Sequence, residues 1–257
     1  MKLDKKESFV SLLSLLCFFI IWQFFVMSTA VGVIMPSPIQ IIKAIVKACR
    51  VPIGAKILPV HILFSLRRVL IGYLLAIIIG IPLGILMGCS KVGEAIIRPI
   101  FEVLRPIPGL AWIPLAILWF GIGEKSKYFI ICISALVSIL LNTYEGAKSV
   151  DNTLVGAAEM LGANKLQVFA LITLPASVPY IFAGLQVGLS SSWMAVIAAE
   201  MIRSSEGTGW IITTGMDAGD TVQILVGMIS IGFIGLILAN VLRKLENLLC
   251  SWRIQGK

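Results

Sequence analysis

The chain holds few residues of the kinds that do chemistry. Its one histidine, His61, and its five cysteines, Cys17, Cys49, Cys89, Cys132 and Cys250, are scattered, with no CxxC pair. A metal needs three or four such ligands converging at short, regular spacings, and none occur here. The cysteines read as small apolar packing residues. No carboxylate pair and no Ser/His/Asp set suggests an active site. What remains is a handful of polar groups set in apolar sequence. Glu200 follows the run SSSWMAVIAA; an ionisable residue at membrane depth is a functional candidate, and one at a helix end can instead sit in the interface. Ser190, Ser191 and Ser192 can line a polar path or bond between helices, and Trp193 beside them can pack or anchor at the interface. Pro106, Pro108 and Pro114 break an apolar run that also carries Trp112 and Trp119. Arg105, next to them, can attract an anion or anchor a helix end.

The elements that position these groups must be membrane helices. Of 257 residues, 58% are hydrophobic and 13% charged, and the mean hydropathy is +1.00. Soluble domains carry about 25% charge. The charges cluster and leave long uncharged gaps, and a hydrocarbon core about 30 Å thick takes roughly 20 apolar residues per helix. In lipid the backbone must bond to itself, so such runs are helical. The net charge of +8 and pI near 9.4 do not point to nucleic acid, because no basic stripe alternates with exposed aromatics. The basic residues flank apolar helices and attract anionic lipid headgroups.

Gaps between charges predict six spans: residues 9–29, 69–87, 107–123, 128–144, 176–199 and 222–242. The first follows Lys2, Lys5 and Lys6; it is longer than a signal-peptide core and reads as a retained helix. The third and fourth form a tight hairpin around residues 124–127. Prolines remove backbone donors, and broken backbone at membrane depth is tolerated only against protein or a water-filled path. Residues 106–114 are therefore a candidate pore element or a packing kink. Met35-Pro36-Ser37-Pro38 leads into residues 39–50, where Lys43, Lys47 and Arg50 at helical spacing suggest an interfacial helix. An even number of spans puts both termini on one side. The basic N-terminus and Arg243, Lys244, Arg253 and Lys257 place that side in the cytoplasm. Lys43, Lys47, Arg50, Lys56, Arg67 and Arg68 then fall outside, against the rule. Gly80, Gly84 and Gly88, and Gly184 with Gly188, form GxxxG faces for close helix contact, within a bundle or between copies.

Residues 151–179 (DNTLVGAAEMLGANKLQVFALITLPASVP) are the longest ordered-looking stretch between apolar spans. Asp151, Asn152 or Thr153 can cap a helix running to Leu161, with Gly162 in a left-handed position after it. Asn164 can cap a second helix, with Gln167 completing a capping box. Leu174-Pro175 is expected to end that helix. Val155, Met160 and Leu161, beside Ala157 and Ala158, form an apolar knob that suits a groove on another protein, or packing on its own bundle.

Residues 156–175 resemble the EAA loop of permeases from binding-protein-dependent ABC importers. Ala157, Ala158, Gly162, Leu174 and Pro175 fall in register with Glu-Ala-Ala, the Gly six residues after the Glu, and the later Leu-Pro. The Glu position holds Gly156, and Glu159 lies on another helix face, which leaves a salt bridge from that position open. Further motifs resemble the nitrate/sulfonate/taurine branch: Ser65-Leu66-Arg67-Arg68-Val69, Gly80-Ile81-Pro82-Leu83-Gly84, LRPIPGLAWIPLAILWFGIG at 104–123, GLQVGLSSSWMAVIAAEM at 184–201 and Trp252-Arg253.

The resemblance implies an all-α membrane protein of about six transmembrane helices with the type I ABC importer permease fold, a single permease domain over 1–257 with a cytoplasmic coupling loop at about 150–175. Gly156, Ala157, Ala158, Glu159, Leu161, Gly162, Ala163, Leu174 and Pro175 would form that loop on a separate ATPase dimer. Pro106, Pro108, Trp112, Pro114, Ser191, Trp193 and Glu200 are candidates for the translocation path. The chain lacks G-x-x-x-x-G-K-[ST], so ATP and Mg belong to the partner ATPase and no cofactor is expected here. A second copy would complete the pore in the bacterial inner membrane. An extracytoplasmic solute-binding protein would deliver a small anionic solute (sulfonate, taurine or nitrate) to an outer face that includes 204–221, with Glu206, Asp217 and Asp220. Bicarbonate and thiamine or pyrimidine precursors are alternative solutes. A secondary transporter is the alternative mechanism; it would show internal repeats and intramembrane ion-coupling residues.

Overall fold

A computed structural model of the chain describes residues 5–28, 32 and 35–250. Lys2, Thr29, Trp252, Arg253 and Lys257, on which some of the expectations above fall, lie outside the described residues. The regular structure is helical: α1 (Lys5–Ser28), α2 (Pro38–Ala48), α3 (Leu58–Cys89), α4 (Lys91–Leu104), α5 (Ile113–Phe120), α6 (Glu124–Lys148), α7 (Asn152–Met160), α8 (Lys165–Val168), α9 (Leu174–Arg203), α10 (Thr208–Asp217) and α11 (Thr221–Leu249). Among the described residues, five stretches are long and apolar enough to cross a bilayer: Phe9–Ser28, α3, α6, the run Lys165–Ile202 and α11. A sixth arises if α4 and the segment Gly109–Phe120, bent by 85° at their break, count as one span. The predicted third span is thus half of a bent pair, and α4 was not foreseen. Glu94, Arg98 and Glu102 line one face of this amphipathic helix and interrupt its sequence, which removes the uncharged gap that marks a span.

The chain divides into two compact units, Met1–Leu63 with Ser205–Ile231 and Phe64–Ser204 with Gly232–Lys257. In the first, Ser37 caps α2: its side chain accepts from the Gln40 N–H while Gln40 reaches back to the Ser37 N–H, a full capping box. Ala48, Leu58, Ile211 and Val226 form the core. His61 is buried there, its Nε2 3.1 Å from the Ile53 carbonyl, its Nδ1 accepting from the Gly207 N–H at 3.1 Å, and its ring stacked on Trp210. Lys56 pairs with Glu206 in the same unit.

The second unit is organised around α6. The predicted glycine faces both meet it. A Cβ at Gly84 would lie 2.7 Å from Thr143 Cβ, one at Gly88 2.5 Å from Ala147 Cβ, and one at Gly188 2.9 Å from Ile139 Cγ1. Helix α3 therefore runs parallel to α6 on one side and α9 antiparallel on the other. Backbones approach this closely only where side chains are absent, and dispersion across the seam supplies the attraction that lipid does not. The GxxxG faces are spent inside the chain.

Candidate functional site

The helix–glycine–helix segment forms as the local chemistry dictates. Asp151 caps α7, its carboxylate accepting from the Thr153 N–H at 2.8 Å, and that bond holds its pKa below the ordinary aspartate range. At the other end Gly162 adopts φ 86°, with Gly162 N–H donating to Glu159 O at 2.9 Å and Ala163 N–H to Ala158 O at 3.0 Å. This is a Schellman closure, which requires a left-handed residue at that position. Asn164 and Gln167 then exchange backbone–side-chain bonds at 2.8 and 2.9 Å to start α8. Met160 and Leu161 are each 90% exposed, and Leu154 and Leu166 are also exposed. Gly156 faces open space, with nothing within 4 Å of an added Cβ.

One expectation fails. Leu174-Pro175 does not end the second helix: α8 continues through a π turn, Phe169–Thr173, directly into α9. Proline lacks an N–H and crowds the carbonyl four residues earlier. The wider turn accommodates it, with the Leu174 N–H donating to Phe169 O, five residues back.

The candidate path residues fall in two places. Pro106, Pro108 and Pro114 are exposed at the bend between α4 and α5, and Trp112 is half-buried in a 3-10 turn, Gly109–Trp112. That turn rests on the middle of α6, where a Cβ at Gly109 would lie 2.8 Å from Ser134 Cβ. Phe129 of α6 collects the rings of Trp112, Trp119 and Phe120 at 5.3 to 6.3 Å, so these aromatics pack together. Arg105 lies 3.9 Å from Glu102 at the exposed end of α4. On α9, Ser190 and Ser191 bond back to the carbonyls of Gln186 and Val187. Ser192 is buried, its hydroxyl without a hydrogen-bond partner among the described residues. Trp193 is buried against Gly235 of α11.

Glu200 lies inside the helix packing. It is fully buried and accepts from Ser65 Oγ at 2.8 and 2.9 Å and from Arg68 Nη1 at 2.7 Å. Arg68, 1% exposed, also donates to Glu124 from Nη2 at 2.7 Å and from Nε at 2.9 Å. Lys127 completes the group, donating to Glu124 at 3.2 Å and Ser204 at 3.0 Å. Two cations balance two carboxylates, tying α3, the start of α6 and the end of α9. Three segments far apart in the chain supply these residues, so no spacing announces the cluster. The one available signal is a lone carboxylate in an apolar run. Among the described residues no three of His, Cys, Asp and Glu are grouped to hold a metal ion.

Comparison with known proteins gives this arrangement a family. The profile of the family described as binding-protein-dependent transport system inner membrane component matches residues 80–249. An ABC transporter permease protein of Methanocaldococcus jannaschii is 39% identical over 91% of this chain and 88% of its own length. The nitrate import permease protein NrtB of a Synechocystis species is 36% identical over 89% of this chain and 84% of its own. Among solved structures, a chain of the MetNI methionine ABC transporter in an inward-facing conformation superposes with a TM-score of 0.66. At 15% identity, covering 75% of this chain and 95% of that one, it shows the shared fold. The family name itself entails a separate solute-binding protein and an ATPase that binds the nucleotide. The chain belongs to the binding-protein-dependent transport system inner membrane components, as a multi-pass, non-catalytic permease subunit of an ABC importer.

Proposed function

We propose that this subunit passes a small oxyanion of the nitrate, taurine or sulfonate class into the cytoplasm, as one half of a homodimeric pore driven by a separate ATPase dimer. The observation that carries the mechanism is the capped pair α7–Gly162–α8, which presents Met160 and Leu161 at 90% exposure. Two large apolar side chains held out on a closed helix end suit a groove in a partner. In this reading residues 156–163, with Leu174 and Pro175, form the coupling loop of one permease domain over 1–257, and ATP and Mg sit on the partner.

Both termini are assigned to the cytoplasm. The cationic residues that opposed this orientation are fewer than they looked, since Arg68 and Lys56 are each paired with carboxylates. The bend at Pro106–Pro108, with Trp112 and Pro114, is taken as the mobile wall of the path. Ser191 lies along the helix behind it, and Trp193 and Glu200 hold that helix in place. The oxyanion class is supported by the shared motifs and by the nitrate permease relative; bicarbonate and thiamine or pyrimidine precursors are the competing solutes.

The test is uptake in a deletion strain with labelled nitrate, taurine, alkanesulfonates, bicarbonate and thiamine precursors. Loss of nitrate, taurine or an alkanesulfonate, restored by the gene, supports the reading; loss of bicarbonate or of a thiamine precursor alone refutes the substrate class. For coupling, the Met160→Asp, Leu161→Asp double variant should insert normally and lose the co-purifying ATPase.

A further inference from the structure

We propose that Glu94 is the joint through which movement of the α7–α8 pair reaches the broken helix α4–α5. The proposal rests on the coupling reading above and adds the route by which the motion travels.

Glu94 stands in the first turn of α4, and its Oε1 accepts three hydrogen bonds. They come from Tyr144 Oη at 2.6 Å, Lys148 Nζ at 2.8 Å and Arg98 Nη1 at 3.0 Å. Lys148 also donates to Tyr144 Oη at 2.6 Å and lies over that ring at 5.0 Å. Tyr144 and Lys148 belong to the last turn of α6, and only Ser149 and Val150 separate Lys148 from Asp151, the cap of α7. The joint therefore links the residue that feeds the loop to the first turn of the helix that ends at the bend.

Helix α7 has no buried residue of its own. Between it and the ends of α3 and α6 lies a cleft of about 610 Å³, lined by Cys89, Ala147, Lys148, Asn152, Val155 and Lys165 among others. A helix that stands off its bundle passes displacement through its chain ends rather than its face. Its N-terminal end leads straight to Lys148. The tyrosine ring packs with Met87, Phe101 and Leu140, which holds α4 near α6 whatever the state of the polar group. Packing keeps the helices together, and the carboxylate sets their phase.

Arg98 supplies the internal control. It sits four residues from Glu94 on the same helix and so does not bridge α4 to α6. Removing the Glu94 acceptor, or Tyr144 Oη and Lys148 Nζ together, breaks the bridge, while replacing Arg98 leaves it.

The experiment uses the whole transporter, with its ATPase and binding protein, in nanodiscs, native cysteines replaced. Nitroxides at Leu118 of α5 and Met194 of α9, both exposed, report the bend; a second pair at Leu154 of α7, exposed and outside the docking residues, and Met194 reports the loop. Distances are read before and after MgATP with vanadate. The expected result is that both pairs respond in the parent and in Arg98→Gln. In Glu94→Ala and in the double variant Tyr144→Phe, Lys148→Met the loop pair still responds, ATP is still hydrolysed, and the Leu118 response is lost. An unchanged Leu118 response in both bridge variants overturns the proposal and leaves the coupling reading standing. A loop pair that fails to respond in the parent overturns the coupling reading and the proposal with it.

Discussion

Helix α6 carries an ion cluster at each end, built from the same chemistry and set in opposite surroundings. At its start, Arg68 and Glu200 pair out of contact with solvent, at 1% and 0% exposure, and buried Lys127 joins them through Glu124, whose side chain is 41% exposed. At its end, Lys148 and Tyr144 join Glu94 and Arg98, with the Arg98 and Lys148 side chains about half exposed. Removing one member of a buried pair strands the other charge and costs about 3–5 kcal/mol, whereas exposed pairs are held weakly. The buried cluster can serve as a fixed tie between three helices; the exposed one can exchange partners within a transport cycle. Location, not composition, decides which of the two can move.

The comparison is broken most severely at the buried end. Arg68→Met should destabilise the purified protein by about 3–5 kcal/mol in denaturant melts, and adding Glu200→Leu should recover much of that by removing the stranded carboxylate. A double variant as unstable as the single would show that the cluster is not held by charge compensation. Between the two ends, Gly84→Leu drives a side chain into Thr143 and the Leu140 carbonyl, 2.7 and 2.8 Å from its Cβ. Over-packing of that kind costs about 1–3 kcal/mol, and the same assay reads it. Near the exposed end, Gly156→Ala should stabilise α7 by about 0.5–1 kcal/mol, because helical glycine is penalised and its Cβ site is open. Amide exchange in α7 would slow by about 2- to 5-fold, and an unchanged rate would mean that α7 is held by contacts rather than propensity. Least affected is the Asp151 cap. Its pKa is depressed by the Thr153 N–H, so its contribution is present above the ordinary aspartate value and lost only as pH falls through the lower, folded one. Exchange in the first turn of α7 should be the same at pH 7 and pH 5 after correction for intrinsic rate, and a difference would place another titrating group at the cap.

How much of this was legible follows from the range of each interaction. The caps at Asp151 and Asn164 and the left-handed Gly162 were readable because each is settled within six residues. The GxxxG faces were readable as contact surfaces, and their partner was not, since Ile139, Thr143 and Ala147 carry no matching pattern. The buried cluster leaves no local pattern in the sequence. A charge that a helix buries interrupts the uncharged run that marks a span, so those runs begin at Val69 and Tyr128, where the helices begin at Leu58 and Glu124. Hydropathy scores each charge alone and is blind to the partner that compensates it from a distant segment. The π turn escaped because Leu-Pro usually marks a helix end, and the accommodation that lets the helix pass through depends on backbone geometry rather than residue type.

That turn has a mechanical consequence. A π turn holds one residue more than an α turn needs, and each residue of an α-helix accounts for about 100° of rotation. Were Phe169–Thr173 to relax to α geometry, α8 would swivel by about that angle against α9 while every contact between α9 and α6 stayed in place. The joint below the core is thus wound like a spring with one click in reserve, able to re-aim the exposed leucine and methionine of the loop without asking the membrane helices to shift.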